Sequence, residues 1–320
     1  MIGFLIRRVA ISAVTLLVVL VVVFFALQLL PGGYADVVLG PRASEQARLE
    51  AEEKFGLNLP VWLQFIRWLG AAVRGDLGVS LVSGQPVATE IATRLPATLQ
   101  VILMALIVAL VLGIILGLVS GLSSRKPFVN GTSRLLGTLT LSVPDFVIGT
   151  VLVYLFSVNA WGLTVGSYVP FSQDPAASIA STVLPAVTLG LGGVALIMRT
   201  LSDAVSTTLT EPFITSSVAR GDAPGIIVRR HVLRNSSTPL ITVTALLIGS
   251  FLGGTIVVET LFSVPGIGYF FTNSVRNRDF AVVQGIVLLT ATVFIVANLL
   301  ADVLYAALDP RLSRAKGGTR

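Results

Sequence analysis

The sequence contains no cysteine and a single histidine, His231. Disulfide frameworks, thiol catalysis, histidine-based triads and metal cages of cysteine and histidine therefore lack their raw material. The chain has only three lysines, and they are followed by Phe, Pro and Gly. A phosphate-binding loop that ends in Lys-Ser or Lys-Thr cannot be built from them. The sequence thus predicts a chain that is not an enzyme, binds no cofactor or metal, and has no ATPase of its own.

Charge is also scarce. Of the 320 residues only 12% are charged and 54% are hydrophobic, and the mean hydropathy is +0.90. This composition is far too apolar for an ordinary water-soluble domain. The net charge of +6 does not indicate a nucleic-acid partner, because long apolar runs separate the small basic groups. The sequence therefore predicts an all-α integral membrane protein in contact with membrane lipid.

Six apolar segments are long enough to span a bilayer, since about 20 residues cross a hydrocarbon core of about 30 Å. They are 9–30, 97–121, 135–158, 181–201, 239–260 and 281–307. The first segment follows Arg7 and Arg8, as the apolar region of a secretory signal peptide does. It is too long for such a region, and Leu30-Pro31-Gly32 offers no small-residue cleavage pattern. We interpret it as an uncleaved first span.

Basic residues near the span ends predict the orientation, because short loops rich in Lys and Arg are retained in the cytoplasm. If the N-terminus is inside, the short outer loops hold only Arg276 and Arg278. The inner side then holds Arg7, Arg8, Arg125, Lys126, Arg134, Arg220, Arg229, Arg230, Arg234, Arg311, Arg314, Lys316 and Arg320. We expect both termini to lie in the cytoplasm. The N-terminus belongs to the segment 1–30, which also contains the first span, and the C-terminal tail is 309–320.

The connection 31–96 is predicted to be an extracytoplasmic domain, followed by a core of five spans over 97–308. Within this connection, four apolar residues at helical spacing predict an amphipathic interfacial helix: Trp62, Phe65, Ile66 and Leu69. Gly75, Gly78 and Gly84 break the chain after it. The domain is either a partly ordered external loop or a lid over a transport pathway.

Glycines recur at small-xxx-small spacing inside the predicted spans, which favours close helix packing and a tight bundle. The repeats are Gly113, Gly117 and Gly121, then Gly249 and Gly253, with a further cluster at Gly190, Gly192 and Gly193.

The basic loop 202–238 between the fourth and fifth spans is predicted to form two short helices joined at an elbow. Glu211 or Thr210 caps a first helix entered through Pro212, and Gly221 supplies a positive φ at its end. Asp222 is predicted to cap the second helix, which runs to Arg234. The charge alone leaves two interpretations open, an element that lies on anionic lipid headgroups and a docking element for a partner protein.

The residues of this loop resemble a known motif. The stretch Thr215–Gly221, followed ten positions later by His231-Val-Leu-Arg-Asn, is similar to the cytoplasmic loop motif of ABC importer permeases, in the variant of the peptide-type systems. The resemblance extends over nearly the whole chain. It includes Leu29-Leu-Pro-Gly-Gly33, Gly75-Asp-Leu-Gly78, Ser142-Val-Pro-Asp-Phe146, Pro265-Gly-Ile-Gly268 and Leu308-Asp-Pro-Arg311. The loop departs from the family pattern at Thr215 and Val218, where arginines are expected.

The resemblance is to the first permease of dipeptide, oligopeptide and nickel importers, and it implies a type I ABC importer permease fold in the bacterial plasma (inner) membrane. It also implies four kinds of partner: a homologous second permease, two cytoplasmic ATPases that hold ATP and Mg, an extracytoplasmic binding protein and a peptide substrate. Residues carried over as candidates for coupling to the ATPases are Phe213, Ser217, Ala219, Arg220, Gly221, Asp222, Arg230, His231 and Arg234. For His231 we expect packing and hydrogen bonding inside the elbow rather than a proton switch.

Acidic residues in or beside the spans are costly in lipid and suggest a pathway or a partnered site. Pro144 is expected to kink the third span and turn Asp145 towards a cavity, so both are candidate pathway residues. Glu259 is a third candidate, although an interfacial location or a packing salt bridge is the competing interpretation for it and for Asp302.

The spans contain no histidine or cysteine, which favours a peptide over nickel as the substrate. An importer of nickel or of another small solute is the alternative within the same family. A stand-alone secondary transporter or channel is the alternative from another class. Such proteins show internal repeats and intramembrane charge relays, and the sequence displays neither.

Overall fold

The computed structural model describes residues 2–29, 46, 58–123, 143–159, 163 and 165–308, with side chains described for all of these except 2–5, 301, 302 and 304–308. Within these ranges the chain is helical and forms no β-sheet; one isolated bridge joins Val79 and Pro86. The prediction of an all-α protein is confirmed.

The helices follow one another along the chain. They are α1 Ile2–Gln28, α2 Val61–Val73, α3 Val87–Leu122, α4 Asp145–Val158, α5 Pro175–Leu209, α6 Pro212–Ala219, α7 Pro224–Ile227, a π-helical turn Val228–Val232, α8 Leu233–Phe262, α9 Ile267–Arg276 and α10 Phe280–Leu308. The segment from α7 to α8 is one continuous helical stretch, Pro224–Phe262.

Five of the six predicted spans coincide with helices that are long and apolar enough to cross a membrane. These stretches are Ile6–Gln28, Val87–Leu122, Pro175–Leu209, Pro224–Phe262 and Phe280–Leu300. The remaining predicted span, 135–158, is described only in its second half, where α4 is an apolar helix of 14 residues. Its first half, 135–142, lies outside the described residues.

The chain divides into two compact units, the first made of 1–97 and 265–296 and the second of 98–264 and 297–320. In the first unit, α2 packs one face against α1. The Phe65 and Phe24 rings lie 5.3 Å apart in an edge-to-face arrangement, with Trp68 and Leu69 beside them. Trp62 remains exposed. The predicted amphipathic helix is therefore confirmed, and its buried face rests on the first span.

The glycine-broken segment after α2 is fixed to the start of α10 within the first unit. Gly75, Gly78 and Gly84 all adopt positive φ, as their predicted role as chain breakers requires. Ser80 Oγ then donates a hydrogen bond of 2.5 Å to the Asp279 carboxylate, which is only 1% exposed. Asp279 also accepts the amide of Val282 at 3.4 Å, so it caps α10.

In the second unit, α3 and α5 run parallel. Gln100 bonds Thr182 at 3.0 Å, and Ser202 bonds Ser120 at 2.9 Å. Both pairs are 82 residues apart in sequence, and a constant separation along two helices means that they point the same way. Two parallel spans need a return crossing between them. The described part of that crossing is α4.

Glycines let α3 approach α5. A Cβ added to Gly113 would lie 2.7 Å from the Ile197 Cβ, and one added to Gly121 would lie 2.6 Å from the Val205 Cβ. The predicted close packing is confirmed at these positions. It is wrong at Gly253, where an added Cβ would meet none of the described atoms within 4 Å. Its neighbour Gly254 makes the close approach instead, because it is the residue that α8 turns towards Leu189. A Cβ added to Gly254 would lie 2.6 Å from Leu189 Cδ1.

Helices α4 and α8 both pack antiparallel to α5. Position 193 of α5 lies against Phe251 and Leu247 of α8, and Leu189 lies against position 254. Likewise Gly149 of α4 faces Thr188, whereas Asp145 faces Gly192. Helix α4 thus begins beside the middle of α5, since Gly192 is equally far from both ends of Pro175–Leu209.

One sequence expectation about the spans is corrected. Pro144 does not kink a continuous helix: it lies just before α4 in an extended conformation, φ −60° and ψ 142°, because it is the residue that caps the helix. Glu259 lies in the last turn of α8 and is fully buried, at 0% exposure. The side chain of Asp302 lies outside the described residues.

Candidate functional site

The elbow, which we define as Thr210–Val232, joins α5 to α8. Helix α5 continues well past the predicted end of its span, and only Thr210 and Glu211 separate it from α6. Pro212 occupies the first turn of α6, where a missing amide hydrogen costs nothing. A short turn, Arg220–Ala223, then leads to α7. The elbow is thus almost entirely helical.

Gly221 closes α6 in a left-handed conformation. Its φ is +79°, as the sequence predicts, and its amide donates to the Val218 carbonyl at 2.9 Å. The following amide, of Asp222, donates to the Ser217 carbonyl at 3.2 Å. These two bonds form a Schellman motif, which requires the left-handed residue. The direction in which the chain leaves α6 is therefore set by glycine at this position.

A polar cluster lies inside the bend. Ser217 is 0% exposed, and its hydroxyl donates to Asp222 Oδ2 at 2.5 Å. Arg220 donates to the same hydroxyl at 3.0 Å and to the Asp222 carboxylate at 3.3 Å. His231 Nε2 lies 3.3 Å from Ser217 Oγ, and the His231 ring lies 5.8 Å from that of Phe213. The expected packing of His231 within the elbow is confirmed.

This cluster holds serine, histidine and aspartate, but it is not wired as a hydrolytic triad. A triad needs the carboxylate to orient the histidine and the histidine to accept the serine proton. Here the Ser217 hydroxyl donates its hydrogen bond directly to the Asp222 carboxylate. The arrangement ties α6 to the π-helical turn that carries His231, and it stabilises the bend.

The electrostatics of the cluster keep the carboxylate ionised. The hydrogen bond from Ser217, with the charge and hydrogen bond of Arg220 and the nearby His231, holds the pKa of Asp222 below its usual value, against a smaller opposing effect of burial. Asp222 therefore carries its negative charge at neutral pH.

Apolar contacts seat the elbow on the ends of the spanning helices. Ile214, Ile227 and Val232 are buried together with Leu201 and Val205 of α5. Ile114 and Leu118 of α3 complete this core. The elbow is thus continuous with the α3–α5 pair, so a displacement of one is transmitted to the other.

The other face of the elbow projects outward. Val218 is 60% exposed, and Ile226 and Phe213 are exposed as well. Arg220, Arg229 and Arg230 lie among them at exposed positions. The surface combines apolar and basic side chains, which suits contact with another protein or with an anionic surface.

The structure gathers six of the nine candidate coupling residues in or at the bend: Phe213, Ser217, Arg220, Gly221, Asp222 and His231. Ala219, Arg230 and Arg234 are exposed beside it.

One capping prediction for the elbow is wrong. Asp222 does not cap the second helix; Ala223 does, and it offers no side-chain hydrogen bond. The reason is that Pro224 opens the helix one residue later and the Asp222 carboxylate turns back to Ser217. The second helix is also not separate from the fifth span, because it continues through the π-helical turn.

The three candidate pathway residues all belong to the second unit. Pro144 is the extended residue that caps α4, and Asp145 opens this helix with its carboxylate beside Gly192. A Cβ built at Gly192 would lie 3.4 Å from Asp145 Oδ1. Glu259 is buried near the end of α8. The sequence pattern predicts a packing role for Gly192 and misses its place beside Asp145. Gly192 is adjacent to Gly193, and a helix turns 100° per residue, so the two glycines must face different neighbours.

No group of three or more metal-ligating side chains occurs in the part of the chain that the structure describes. The arrangement, a bundle of long apolar helices with a basic projection at the elbow, is that of a membrane-embedded permease.

Comparison with known proteins agrees with this class. Residues 109–314 match the family described as binding-protein-dependent transport system inner membrane component, and residues 1–102 match the N-terminal region of the membrane components of such systems. The chain belongs to this family of multi-pass inner-membrane permease subunits.

Similar proteins cover almost all of the chain. A probable peptide ABC transporter permease, y4tP of Sinorhizobium fredii, is 31% identical over 97% of this chain and 98% of its own. The glutathione transport system permease GsiC of Escherichia coli O6:H1 is 35% identical over 98% and 99%. Among solved structures, the MetNI methionine ABC transporter is similar with a TM-score of 0.55 and 16% identity, over 68% of this chain and 96% of the matched one. That likeness confirms the ABC importer permease fold.

Proposed function

We propose that this chain forms half of the translocation pathway of an ATP-driven importer of di- and oligopeptides. Family membership supports the permease role, and the names of the relatives, a probable peptide permease and a glutathione permease, support a peptide substrate. The other half would come from a homologous second permease. Two ATPases would bind ATP and Mg at the elbow side, and an extracytoplasmic binding protein would deliver the peptide.

The observation that carries this proposal is the construction of the elbow. It is fixed by the Gly221 turn and by the Ser217 cluster, and it is seated by apolar contacts on α5 and α3. A projection held so firmly can transmit a push from an ATPase into the spanning helices. We assign this coupling role to the six residues gathered at the bend, with exposed Ala219, Arg230 and Arg234 as contacts for the ATPase.

The orientation follows from the same assignment. If the elbow meets an ATPase, it lies in the cytoplasm, and α5 and α8 leave it towards the outside. The basic residues of the elbow agree with this orientation. Both chain termini would then be cytoplasmic, and the segment 31–96 extracytoplasmic.

Pro144, Asp145 and Glu259 are proposed as pathway residues. Support is strongest for the first two, because a helix that starts after an extended proline beside the middle of a neighbouring span is the kind of helix end found at transport sites. Support for Glu259 is limited to its complete burial in a spanning helix.

The test is to extract the chain from its native membrane in mild detergent and to identify what copurifies. We expect a second permease and two ATPases, and we expect ATP-dependent peptide uptake when the complex and its binding protein are placed in liposomes. A chain that transports in liposomes without ATP and without partners would contradict the proposal and indicate a secondary transporter. ATP-dependent uptake of nickel but not of peptide would contradict only the substrate.

A further inference from the structure

One face of α5 carries charge within a helix that is otherwise closely packed. Between positions 181 and 198, most residues of α5 are buried. Gly192, Leu196, Arg199 and Asp203 are not buried, and they are spaced four, three and four residues apart. Such spacing places them on a single face of the helix. The packed second unit thus leaves the stripe formed by these four residues open, and that stripe becomes charged at Arg199.

Helix α4 adds a charge of opposite sign to this face. Its first residue, Asp145, brings a carboxylate oxygen to within 3.4 Å of the place where a Cβ of Gly192 would be. Arg199 lies seven residues, or two helical turns, beyond Gly192, which corresponds to about 10 Å along the axis. The open face therefore presents a carboxylate and a guanidinium at different depths.

Asp145 and Arg199 take part in no ion pair among the residues that the structure describes. Arg199 is exposed, and Asp145 is half-buried. Glycine at position 192 leaves open the space in front of the carboxylate.

Lipid is an unsuitable neighbour for this face. The parallel register of α3 and α5 places Arg199 level with positions 115–117 of α3, where Ile115 and Leu116 are exposed apolar residues. An ionised side chain at that depth requires water, a partner or a ligand. Water with a charged ligand passing through it meets this requirement, provided that the face lines the pathway.

We propose that Asp145 and Arg199 contact the two termini of a short zwitterionic peptide during its passage, the carboxylate taking the ammonium group and the guanidinium taking the terminal carboxylate. Arginine binds carboxylates in a bidentate geometry, which suits the second role. Three extended residues span about 10 Å. This is similar to the distance along the α5 axis between Gly192, which the Asp145 carboxylate faces, and Arg199. This inference rests on the proposed peptide importer and names how it would recognise its substrate.

The experiment uses the complete complex, trapped with a non-hydrolysable ATP analogue and without its binding protein. Retention of radiolabelled trialanine is competed by unlabelled trialanine, by its N-acetyl form and by its C-terminal amide. For the wild type we expect each blocked peptide to compete at least tenfold more weakly than the free one. Asp145→Asn should lose the discrimination against the N-acetyl form alone, and Arg199→Gln the discrimination against the amide alone.

Matched variants separate recognition from folding. Asp203→Asn replaces a carboxylate by an amide, as Asp145→Asn does, on the same face of α5 and about one turn beyond Arg199. It should leave all three competition curves unchanged. Asp145→Glu and Arg199→Lys keep the charge and should retain most of the discrimination. Copurification of the ATPases and of the second permease reports the assembly of each variant.

The outcomes are distinct. Equal discrimination in the wild type and both neutral variants would overturn the inference. Loss of the second permease from the neutral and the charge-conserving variants together would also overturn it, because that result would assign this face to a subunit interface. Wild-type complex that neither retains nor imports any peptide would overturn the proposed function itself.

Discussion

The elbow and the α3–α5 pair both depend on glycine, but in opposite ways. At Gly221 an added Cβ would have none of the described atoms within 4 Å. Glycine is required there because the φ is +79°. At Gly113 and Gly121 the helical backbone is ordinary, and glycine is required because the neighbouring helix is under 3 Å from any Cβ. The elbow is thus specified by backbone conformation and polar contacts, whereas the helix pair is specified by contact distance.

The largest effect is expected where contact distance decides. Gly113→Leu forces a side chain into Ile197, whose own β-branched carbon has little room to move. We expect a loss of about 3 kcal/mol or more, the upper end for overpacking, and failure of the complex to assemble. The thermal midpoint of the complex in detergent and its purified yield measure this.

Gly253→Leu is the control for that change, since it adds the same side chain to an open position of α8. Equal destabilisation by the two variants would contradict the close approach of α3 and α5.

Conformation decides the next effect. Gly221→Val places a β-branched residue in the left-handed region, at a cost of about 1–2 kcal/mol, with no steric clash in the folded chain. We expect normal membrane insertion and continued ATP hydrolysis, with uptake per ATP hydrolysed reduced about tenfold, the change that 1.4 kcal/mol produces. Parallel ATPase and uptake assays measure the ratio.

Gly225→Val tests the specificity of that result. Gly225 lies in the same loop with equally open space and without a positive φ. Its variant should couple like the wild type. Peptide uptake that is unchanged in Gly221→Val would count against the coupling role of the elbow.

A smaller effect is expected for the buried hydroxyl that holds the bend. Ser217→Ala leaves Asp222 and Arg220 without their shared partner, and we expect local destabilisation of about 1–2 kcal/mol. Hydrogen exchange of the α6 amides should accelerate accordingly. Ser216→Ala removes an exposed hydroxyl that bonds only to the Pro212 carbonyl, and its exchange should stay close to the wild-type rate.

The smallest effect concerns pH. The pKa of Asp222 is lowered in the folded chain from a usual value of 3.8, so its carboxylate stabilises the elbow fully above that value and loses this role as the pH falls through the folded pKa. The difference in α6 hydrogen exchange between the wild type and Asp222→Asn should be constant from pH 7 to pH 5 and vanish in strong acid. A difference that disappears already at pH 5 would contradict the lowered pKa.

Hydropathy and local chain chemistry predict much of this molecule. Span positions depend on runs of apolar residues, and the Gly221 turn depends on a glycine next to a polar stretch, so both can be recognised without knowledge of distant neighbours. The bond between Ser80 and Asp279, 199 positions apart, cannot be recognised in this way.

The misplaced predictions share a cause. The cap at Ala223 and the close approach at Gly254 instead of Gly253 each depend on which way a helix is rotated against its neighbour. That rotation is fixed by packing across the bundle. A sequence pattern gives the composition of a helix but leaves this angle undetermined by a residue or more.

The parallel register of α3 and α5 has a consequence for biosynthesis. Two of the polar contacts between them join residues 82 positions apart, and the ribosome adds roughly 5–20 residues per second. The glycine face of α3 therefore enters the membrane roughly 4 to 16 seconds before the helix that fills it has been made. During that interval lipid tails or the insertion machinery must cover Gly113, Gly117 and Gly121, and the pair can close only after the intervening crossing is in place.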